Sequence, residues 1–310
     1  MDPFKSPFQG KKWKRPNFFL LGAQRSGTTS LWQHLRRHPD IFMSPSKEPF
    51  FLATHAAEGF GSASYTADTA EEYVELFAEA DDESVVGEAT AIYYACPWLP
   101  QRIHTWFPDA KMFVILRNPV DRAWSHYRKH ARQGYPMFSS SFEQALREVH
   151  VHMLADGSMH WNAGYISHGL YSKILTRYAN FFGNDQIKVI LFEDLKHFPE
   201  RTPRELYSFL NIDFYEISDA GTVYNASVPG NISKSAFGEI KVLPAKLRNA
   251  LRSGRHFLRR AYSTLTTTES REAIPTTMET ETRKHLIKVF EDEIRRTEDF
   301  IGRSLQHWLV

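Results

Sequence analysis

The 310-residue chain has one cysteine, almost no net charge and no long apolar run. The single Cys96 excludes an internal disulfide, and the formal net charge is only +2. Apolar stretches such as 112–116 hold about half a dozen residues, whereas a membrane-spanning helix needs ~20. The sequence therefore predicts a protein without a transmembrane segment in a reducing, cytoplasmic compartment, and the small net charge does not favour a nucleic-acid partner.

The composition that is present is typical of a globular protein. Hydrophobic residues make up 42% and charged residues 24% of the chain, which supplies enough apolar surface for a core and excludes disordered or fibrous classes. Residues 1–16 are basic and predict an N-terminal tail without the apolar segment of a signal peptide. Residues 17–310 are predicted to form a single domain.

Short apolar segments alternate with helical patterns along the chain. Strands are predicted at 17–21, 85–87, 112–116 and 187–192. Helices are predicted at 28–38, 69–80, 97–107, 119–133, 141–154, 170–182, 202–210 and 278–301. This alternation predicts a three-layer α/β fold, with a central parallel sheet covered by helices on both faces.

A glycine-containing motif connects the first predicted strand to the first predicted helix. Residues 22–29 read GAQRSGTT, which nearly matches the phosphate loop G-x-x-x-x-G-K-S/T but has Thr28 in place of the lysine. Backbone N–H groups of such a loop, together with the helix N-terminus, point toward a phosphate. Arg25 supplies a cation within the motif. We therefore predict a P-loop-like phosphate-binding loop, and the missing lysine argues against ATP hydrolysis.

Two other function classes remain open at this point, a phosphate-loop kinase or ATPase and a non-catalytic nucleotide-binding module. The strand at 112–116 is followed by Arg117 and not by a magnesium-binding aspartate. The strand at 187–192 is followed by Glu193 and Asp194, which keeps the ATPase alternative open. Arg117 is expected at the carboxyl edge of the sheet, where ligands of α/β proteins bind.

Two longer motifs resemble those of sulfotransferases that use 3′-phosphoadenosine 5′-phosphosulfate. Residues 18–31, FFLLGAQRSGTTSL, are similar to the family's 5′-phosphosulfate loop, and residues 116–127, LRNPVDRAWSHY, are similar to its 3′-phosphate motif. Shorter matches follow in the family's order: KEPFF at 47–51, GEATAIYY at 87–94, GLY at 169–171, LFEDL at 191–195, and GRSL at 302–305 followed by Trp308. The set resembles most the heparan-sulfate-type and bacterial carbohydrate-type branch.

The resemblance implies transfer of a sulfuryl group from this donor to an acceptor hydroxyl, without a metal ion. It implies that Glu48 is the general base and that Arg117 and Ser125 bind the 3′-phosphate. Arg25 stands where most family members carry lysine, and because a guanidinium does not donate a proton at neutral pH, we assign it to charge stabilisation of the leaving phosphate. The remaining donor contacts implied are Ser26, Gly27, Thr28, Thr29, Ser30 and, in a later loop, Lys234.

Other polar residues near these motifs are interpreted as structural. Glu88 is predicted to be a structural or acceptor-side acid, and Asp121 and Arg122 are predicted to make contacts on a helix surface. Three histidines near the motifs are expected to be surface or hydrogen-bonded residues rather than bases: His126, His130 and His168. A related branch has a histidine four residues after the motif serine, and that position is Lys129 here.

A basic stretch lies toward the end of the chain. Residues 241–260 contain seven Lys and Arg and no acidic residue, and a basic cover helix is predicted at 239–265. Arg248, Arg252, Arg255 and Arg259 would share one helical face. We interpret this face as a contact for an anionic acceptor or, peripherally, a lipid surface. The acceptor itself stays open among glycan, lipid, acyl chain and small alcohol, and the sequence predicts no oligomeric state.

Overall fold

The computed structural model describes residues 3–4, 13–54, 67, 69–133, 141–147, 164–216 and 275–310. Its strands are β1 (Phe18–Gly22), β2 (Ile41–Met43), β3 (Val85–Ala89), β4 (Lys111–Leu116) and β5 (Ile187–Leu191). Its helices are α1 (Thr28–Leu35), α2 (Phe51–Thr54), α3 (Ala70–Glu75), α4 (Leu99–Trp106), α5 (Pro119–Gln133), α6 (Tyr171–Ala179), α7 (Phe192–His197), α8 (Arg201–Leu210) and α9 (Thr280–Ile301). Residues 142–147 are also helical.

The five strands form one parallel sheet in the order β2-β3-β1-β4-β5. Phe18 of β1 is in register with Gly87 of β3 on one side and with Lys111 of β4 on the other. The central strand β1 therefore lies where the chain order reverses, and the carboxyl end of such a strand is the usual ligand site of an open α/β sheet. The predicted α/β fold with a parallel sheet is confirmed.

The two faces of the sheet pack against separate hydrophobic clusters. Because successive side chains of a strand point to opposite faces, Phe19 and Leu21 of β1 join the larger cluster, which includes Phe290 of α9. Phe18 and Leu20 join the smaller one, which is made mainly with α1 and α8. All four side chains are fully buried. The three-layer arrangement follows from this alternation.

Most predicted elements are present, with differences at their ends. The helix predicted at 119–133 is confirmed residue for residue as α5, and the helix predicted at 278–301 is α9. Strand β2 was not predicted, because three residues are too few to show a period. The strand predicted at 187–192 ends at Leu191, and residues 193–194 lie in helix α7 instead.

Several predicted features involve residues near the two ends of the chain or outside the described ranges. Lys234, the basic stretch 241–260 and the predicted cover helix at 239–265 lie outside the described residues. From the segment predicted as a basic tail, Phe4 is described, and its ring is buried against Phe51 and Tyr73. Within the described ranges, no helix has the length and apolar character needed to cross a bilayer.

Candidate active site

The predicted phosphate loop connects the carboxyl end of β1 to the start of α1. Gly27 precedes the first helical residue with a φ of 88°, a left-handed conformation that favours glycine. A Cβ at this position would lie 2.8 Å from the Cδ2 atom of Leu195 in α7. A larger residue here would strain the backbone and displace the Leu195 side chain, so glycine suits this corner. The N–H groups of the first turn of α1 are then directed at the space in front of the loop.

Three residues from two separate motifs converge on this loop. The Nε atom of Arg25 donates a hydrogen bond to Ser125 Oγ at 3.1 Å. The Nη1 atom of Arg117 donates to the backbone carbonyl of Arg25 at 3.0 Å. Arg25 follows β1, and Arg117 follows the adjacent strand β4, so the parallel sheet brings both arginines to one edge. The structure thus places these three predicted site residues together.

The positive charges around Arg25 are only partly balanced. Burial and the neighbouring charges of Arg117, Arg132 and Arg128 lower the pKa of Arg25 to about 10, with only a partial opposing effect from Glu48. The pKa of Arg117 is also lowered, chiefly by burial. A cluster of desolvated cations is stabilised when an anion enters it. The loop therefore has the electrostatic character of an anion-binding site.

Two hydrogen-bond donors in this cluster lack a protein acceptor among the described residues. The Oγ atom of the fully buried Ser26 and the Nε atom of Arg117 are both inaccessible to solvent and have no partner there. Buried polar groups are normally satisfied, since an unmade hydrogen bond destabilises a protein by about 1–3 kcal/mol. Each atom therefore retains a donor for which the described residues provide no acceptor.

Glu48 lies on a loop that is fixed to the neighbouring strand β3. Its backbone N–H donates to the carbonyl of Ala89 at 2.9 Å, and its side chain, one third exposed, pairs with Lys47 Nζ at 2.9 Å. Burial alone would raise the pKa of the carboxyl group, but Lys47, Lys129 and Arg25 together lower it below its ordinary value. Glu48 is therefore an ionised, accessible proton acceptor beside the cationic cluster.

Lys129 is a site residue that the sequence argument did not use. It lies one helical turn after Ser125 on α5, and so on the same face of that helix. Burial lowers the pKa of Lys129, while the charge of Glu48 has the opposite effect. The available signal was its i+4 spacing from the motif serine.

Glu88 has quite different surroundings, although it lies on the strand to which Glu48 is fixed. Its side chain is fully buried. It accepts hydrogen bonds from Tyr73 Oη and Thr90 Oγ1, both at 2.7 Å. Burial raises the pKa of Glu88 to about 7, against the effect of these hydroxyl donors. Glu88 thus connects α3 to the sheet from the interior, in agreement with a structural role.

The prediction that Arg122 lies on a helix surface is wrong. Its side chain is fully buried, and Nη2 donates to the carbonyls of Gly164 and Tyr165 at 2.7 and 2.5 Å. These carbonyls solvate the charge, which is why an arginine can occupy the inner face of α5. Asp121, in contrast, makes the predicted surface contact, an ion pair with Arg283 at 2.7 Å.

The three motif histidines form part of the same interior. His126 and His130 have ring centroids 4.3 Å apart, and His130 Nδ1 is 3.0 Å from Tyr165 Oη. All three are buried, so none lies on the surface, and the predicted alternative of a hydrogen bond is confirmed for His130 and for His126, whose Nδ1 atom lies 3.5 Å from Arg122 Nη1. Burial lowers the pKa of His130 and His168 to about 3. These buried side chains are neutral at pH 7 and contact other interior groups, in agreement with a structural role.

Asp194, the second residue of the acidic pair after β5, is engaged in a protein contact. Both carboxylate oxygens of Asp194 accept from the guanidinium of Arg303. The preceding Phe192 places its ring 4.8 Å from the guanidinium carbon of Arg117. Within the described ranges, no group of three or more His, Cys, Asp or Glu side chains is arranged around a metal position.

Comparison with known proteins shows which family the chain resembles in sequence and fold. A model described as the sulfotransferase family matches residues 16–216. The crystal structure of a sulfotransferase from Alicyclobacillus acidocaldarius superimposes with a TM-score of 0.70 and 28% identity, covering 95% of this chain and 99% of that one.

Two curated proteins are similar over shorter parts of their lengths. The membrane-associated sulfotransferase kil1 of Dictyostelium discoideum is 24% identical, over 79% of this chain and 67% of its own. The heparan sulfate glucosamine 3-O-sulfotransferase 6 of Homo sapiens is 28% identical, over 68% of this chain and 56% of its own. The alignments therefore span between about half and two thirds of these relatives.

Proposed function

Because the chain belongs to the sulfotransferase family, we propose that it transfers a sulfuryl group from 3′-phosphoadenosine 5′-phosphosulfate to a hydroxyl group of an acceptor. The observation that carries this proposal is the convergence of Arg25, Arg117 and Ser125 at the carboxyl edge of β1 and β4. Two anion-binding positions so close together suit a donor that has phosphate groups on both sides of its ribose.

The 5′ side of the donor is assigned to the phosphate loop. The backbone N–H groups at the start of α1 would bind the phosphate, and the hydroxyl of Ser26 is a buried donor in need of an acceptor. The loop residues that share this role are Ser26, Gly27, Thr28, Thr29 and Ser30. Arg117 and Ser125 are assigned to the 3′-phosphate, for which the unpartnered Nε of Arg117 is a further donor.

Catalysis is then chiefly a matter of charge and position. As the sulfur–oxygen bond to the donor breaks, negative charge grows on the leaving phosphate oxygen, and a preorganised cation there lowers the barrier. Arg25 remains protonated at neutral pH, because its pKa of about 10 is still well above 7. It therefore supplies positive charge and hydrogen bonds to the leaving phosphate oxygen.

Glu48 is proposed to be the general base. Its carboxylate would accept the proton of the acceptor hydroxyl as the oxygen attacks sulfur, a role that contributes typically ~10²- to 10⁴-fold in rate. The lowered pKa of Glu48 keeps this group ionised at neutral pH. Its partial exposure leaves the carboxylate within reach of an acceptor.

A carbohydrate is the acceptor class that the relatives support. Their names specify a heparan sulfate glucosamine and, for carbohydrate sulfotransferase 15 of Mus musculus, a carbohydrate. Arg128 and Arg132 lie close enough to lower the pKa of Arg25, so negative groups on the acceptor would be favoured nearby. The cytoplasmic location stays a prediction, because one relative is membrane-associated by name.

The proposal is tested by supplying donor labelled with radioactive sulfate, in the presence of a metal chelator. The acceptors are desulfated heparan sulfate, chondroitin and an aliphatic alcohol, with product identification by mass spectrometry. We expect labelled carbohydrate. Magnesium-dependent hydrolysis of ATP without sulfuryl transfer would instead support the kinase or ATPase alternative. Binding of adenosine 3′,5′-bisphosphate without transfer to any acceptor would support a non-catalytic module.

A further inference from the structure

We propose that residues 302–310, here called the post-α9 segment, position Arg117 for the 3′-phosphate without touching the ligand. The proposal rests on the function proposed above, since it concerns the group that Arg117 binds. The segment follows helix α9 and lies behind the corner where β4 passes into α5. It contacts the residue that caps α5, a tyrosine that binds the Arg117 carbonyl, and the helix whose aromatic ring lies beside the Arg117 guanidinium.

The first contact is with the residue after Arg117. Asn118 is buried, and its Nδ2 atom donates to the carbonyl of Trp308 at 3.2 Å. Its Oδ1 atom accepts from the backbone N–H groups of Val120 and Asp121 at 2.9 and 3.4 Å. One side chain thus both caps the start of α5 and attaches the corner to the post-α9 segment.

The second contact passes through Tyr171. Its hydroxyl donates to the carbonyl of Arg117 at 2.8 Å, and its ring lies 6.1 Å from that of Trp308. Trp308 and Tyr171 are both almost completely buried. The carbonyl of Arg117 and the side chain of Asn118 are therefore both held by groups in contact with, or belonging to, Trp308.

The third contact supports the guanidinium itself. Arg303 forms a bidentate pair with Asp194 of α7, and bidentate arginine–carboxylate pairs have a well-defined geometry. Phe192, in the first turn of the same helix, is the ring against which the Arg117 guanidinium lies. The position of α7, and with it this aromatic surface, is thus tied to the post-α9 segment.

The segment can transmit position because it is itself anchored to α9. Gly302 has a φ of 64°, which turns the chain back after the helix. The N–H of Leu305 donates to Glu298 Oε2 at 2.7 Å. Arg283 of α9 donates to Asp121 at 2.7 Å. Helix α9 therefore contacts both the post-α9 segment and the start of α5, which fixes the position of one relative to the other.

This arrangement predicts a selective effect. Releasing Asn118 from Trp308 should loosen Arg117 more than the phosphate loop, because the loop, although its Arg25 carbonyl accepts from Arg117, is also fixed by β1 and α1. Affinity for a 3′-phosphate should fall, and affinity for a 5′-phosphate should not. A general loss of packing would weaken both affinities together, so their ratio separates positioning from structural damage.

The test is calorimetric titration of adenosine 3′,5′-bisphosphate and adenosine 5′-monophosphate into the full chain. Asn118→Ser retains a good helix cap but is too short to reach Trp308. We expect about tenfold weaker binding of the bisphosphate, equivalent to one hydrogen bond of ~1.4 kcal/mol, with monophosphate binding unchanged. Arg303→Gln should act in the same direction, and Arg295→Gln, which removes an exposed pair on α9, serves as the charge-matched control.

Other outcomes contradict the proposal in distinguishable ways. Unchanged bisphosphate affinity in either folded variant, or an equal loss for both ligands, overturns the positioning role. If Asn118→Ser does not fold, Arg303→Gln alone decides the question by the same ratio. A wild-type protein without preference for the bisphosphate contradicts the proposed function, and the inference with it.

Discussion

Glu48 and Glu88 are two carboxylates at one edge of the sheet. The backbone N–H of Glu48 donates to the carbonyl of Ala89, the residue that follows Glu88. Glu48 is partly exposed among lysine and arginine side chains, which lower its pKa. Glu88 is buried among hydroxyl groups, and burial raises its pKa to about 7. Opposite shifts in neighbouring carboxylates commonly separate their roles.

The comparison shows what makes one of these acids a candidate base. Glu48 lies in the KEPFF motif and Glu88 in the GEATAIYY motif, and neither motif by itself indicates whether its carboxylate is accessible. The exposure of each carboxylate in the structure and the sign of the charges around it distinguish the two. Glu48 can reach a hydroxyl from outside the protein, whereas Glu88 is already engaged by Tyr73 and Thr90.

The largest expected effect comes from exchanging each acid for its amide. Glu48→Gln should lower kcat by ~10²- to 10⁴-fold, because the amide cannot accept the acceptor proton, while binding of the donor product is retained. Glu88→Gln should leave kcat within a few-fold of wild type. Steady-state transfer assays check both, with the exposed Glu79→Gln as a control, and near-wild-type turnover in Glu48→Gln would refute its role as base.

A second test uses the pH dependence of stability. The folded-state pKa of Glu88 is raised to about 7 from an ordinary value of 4.5, so its contribution is fully present below pH 4.5 and is lost as pH rises toward 7. The slope approaches ~1.4 kcal/mol per pH unit within that window. Denaturant unfolding of the wild type and Glu88→Gln at several pH values should show a difference that changes across this window and is constant above it. A constant difference throughout would contradict the buried, raised-pKa carboxyl.

The smallest effect concerns the cations beside Glu48. Lys47→Met removes the closest of them, so the pKa of Glu48 should rise and the acidic limb of the kcat/KM profile should move to higher pH. Lys129→Met should move it in the same direction by less, because Lys47 also forms a hydrogen bond to the carboxylate. Lys47→Arg and Lys129→Arg keep the charge and should restore the limb. An acidic limb that does not respond to either methionine variant belongs to another group.

The sequence was sufficient for the features that are local or repeated along the chain. Apolar runs ending in Leu21 and Leu116 predicted parallel strands, and the parallel arrangement brought Arg25 and Arg117 to one edge. The bounds of α5 followed from Pro119, which favours a first helical turn, and from the length of the polar–apolar pattern.

The failures concern contacts between distant segments. Arg122 is buried because carbonyls more than forty residues later accept its hydrogen bonds, and no pattern within α5 contains that information. The strand predicted at 187–192 extends one residue too far, because Phe192 already belongs to helix α7. In that helix Phe192 contacts Arg117 and Asp194 pairs with Arg303. The relation of Lys129 to Glu48 likewise depends on how α5 packs beside the loop.

The most direct test of the account is whether Arg117 distinguishes a 3′-phosphate. Titration of the wild type and Arg117→Met with adenosine 3′,5′-bisphosphate and adenosine 5′-monophosphate measures this in one experiment. The account predicts that the wild type prefers the bisphosphate and that the variant loses about 10- to 100-fold of that preference, as expected for charge-assisted hydrogen bonds of ~1.5–3 kcal/mol. Equal binding of the two nucleotides by the wild type, or an unchanged preference in Arg117→Met, would contradict it.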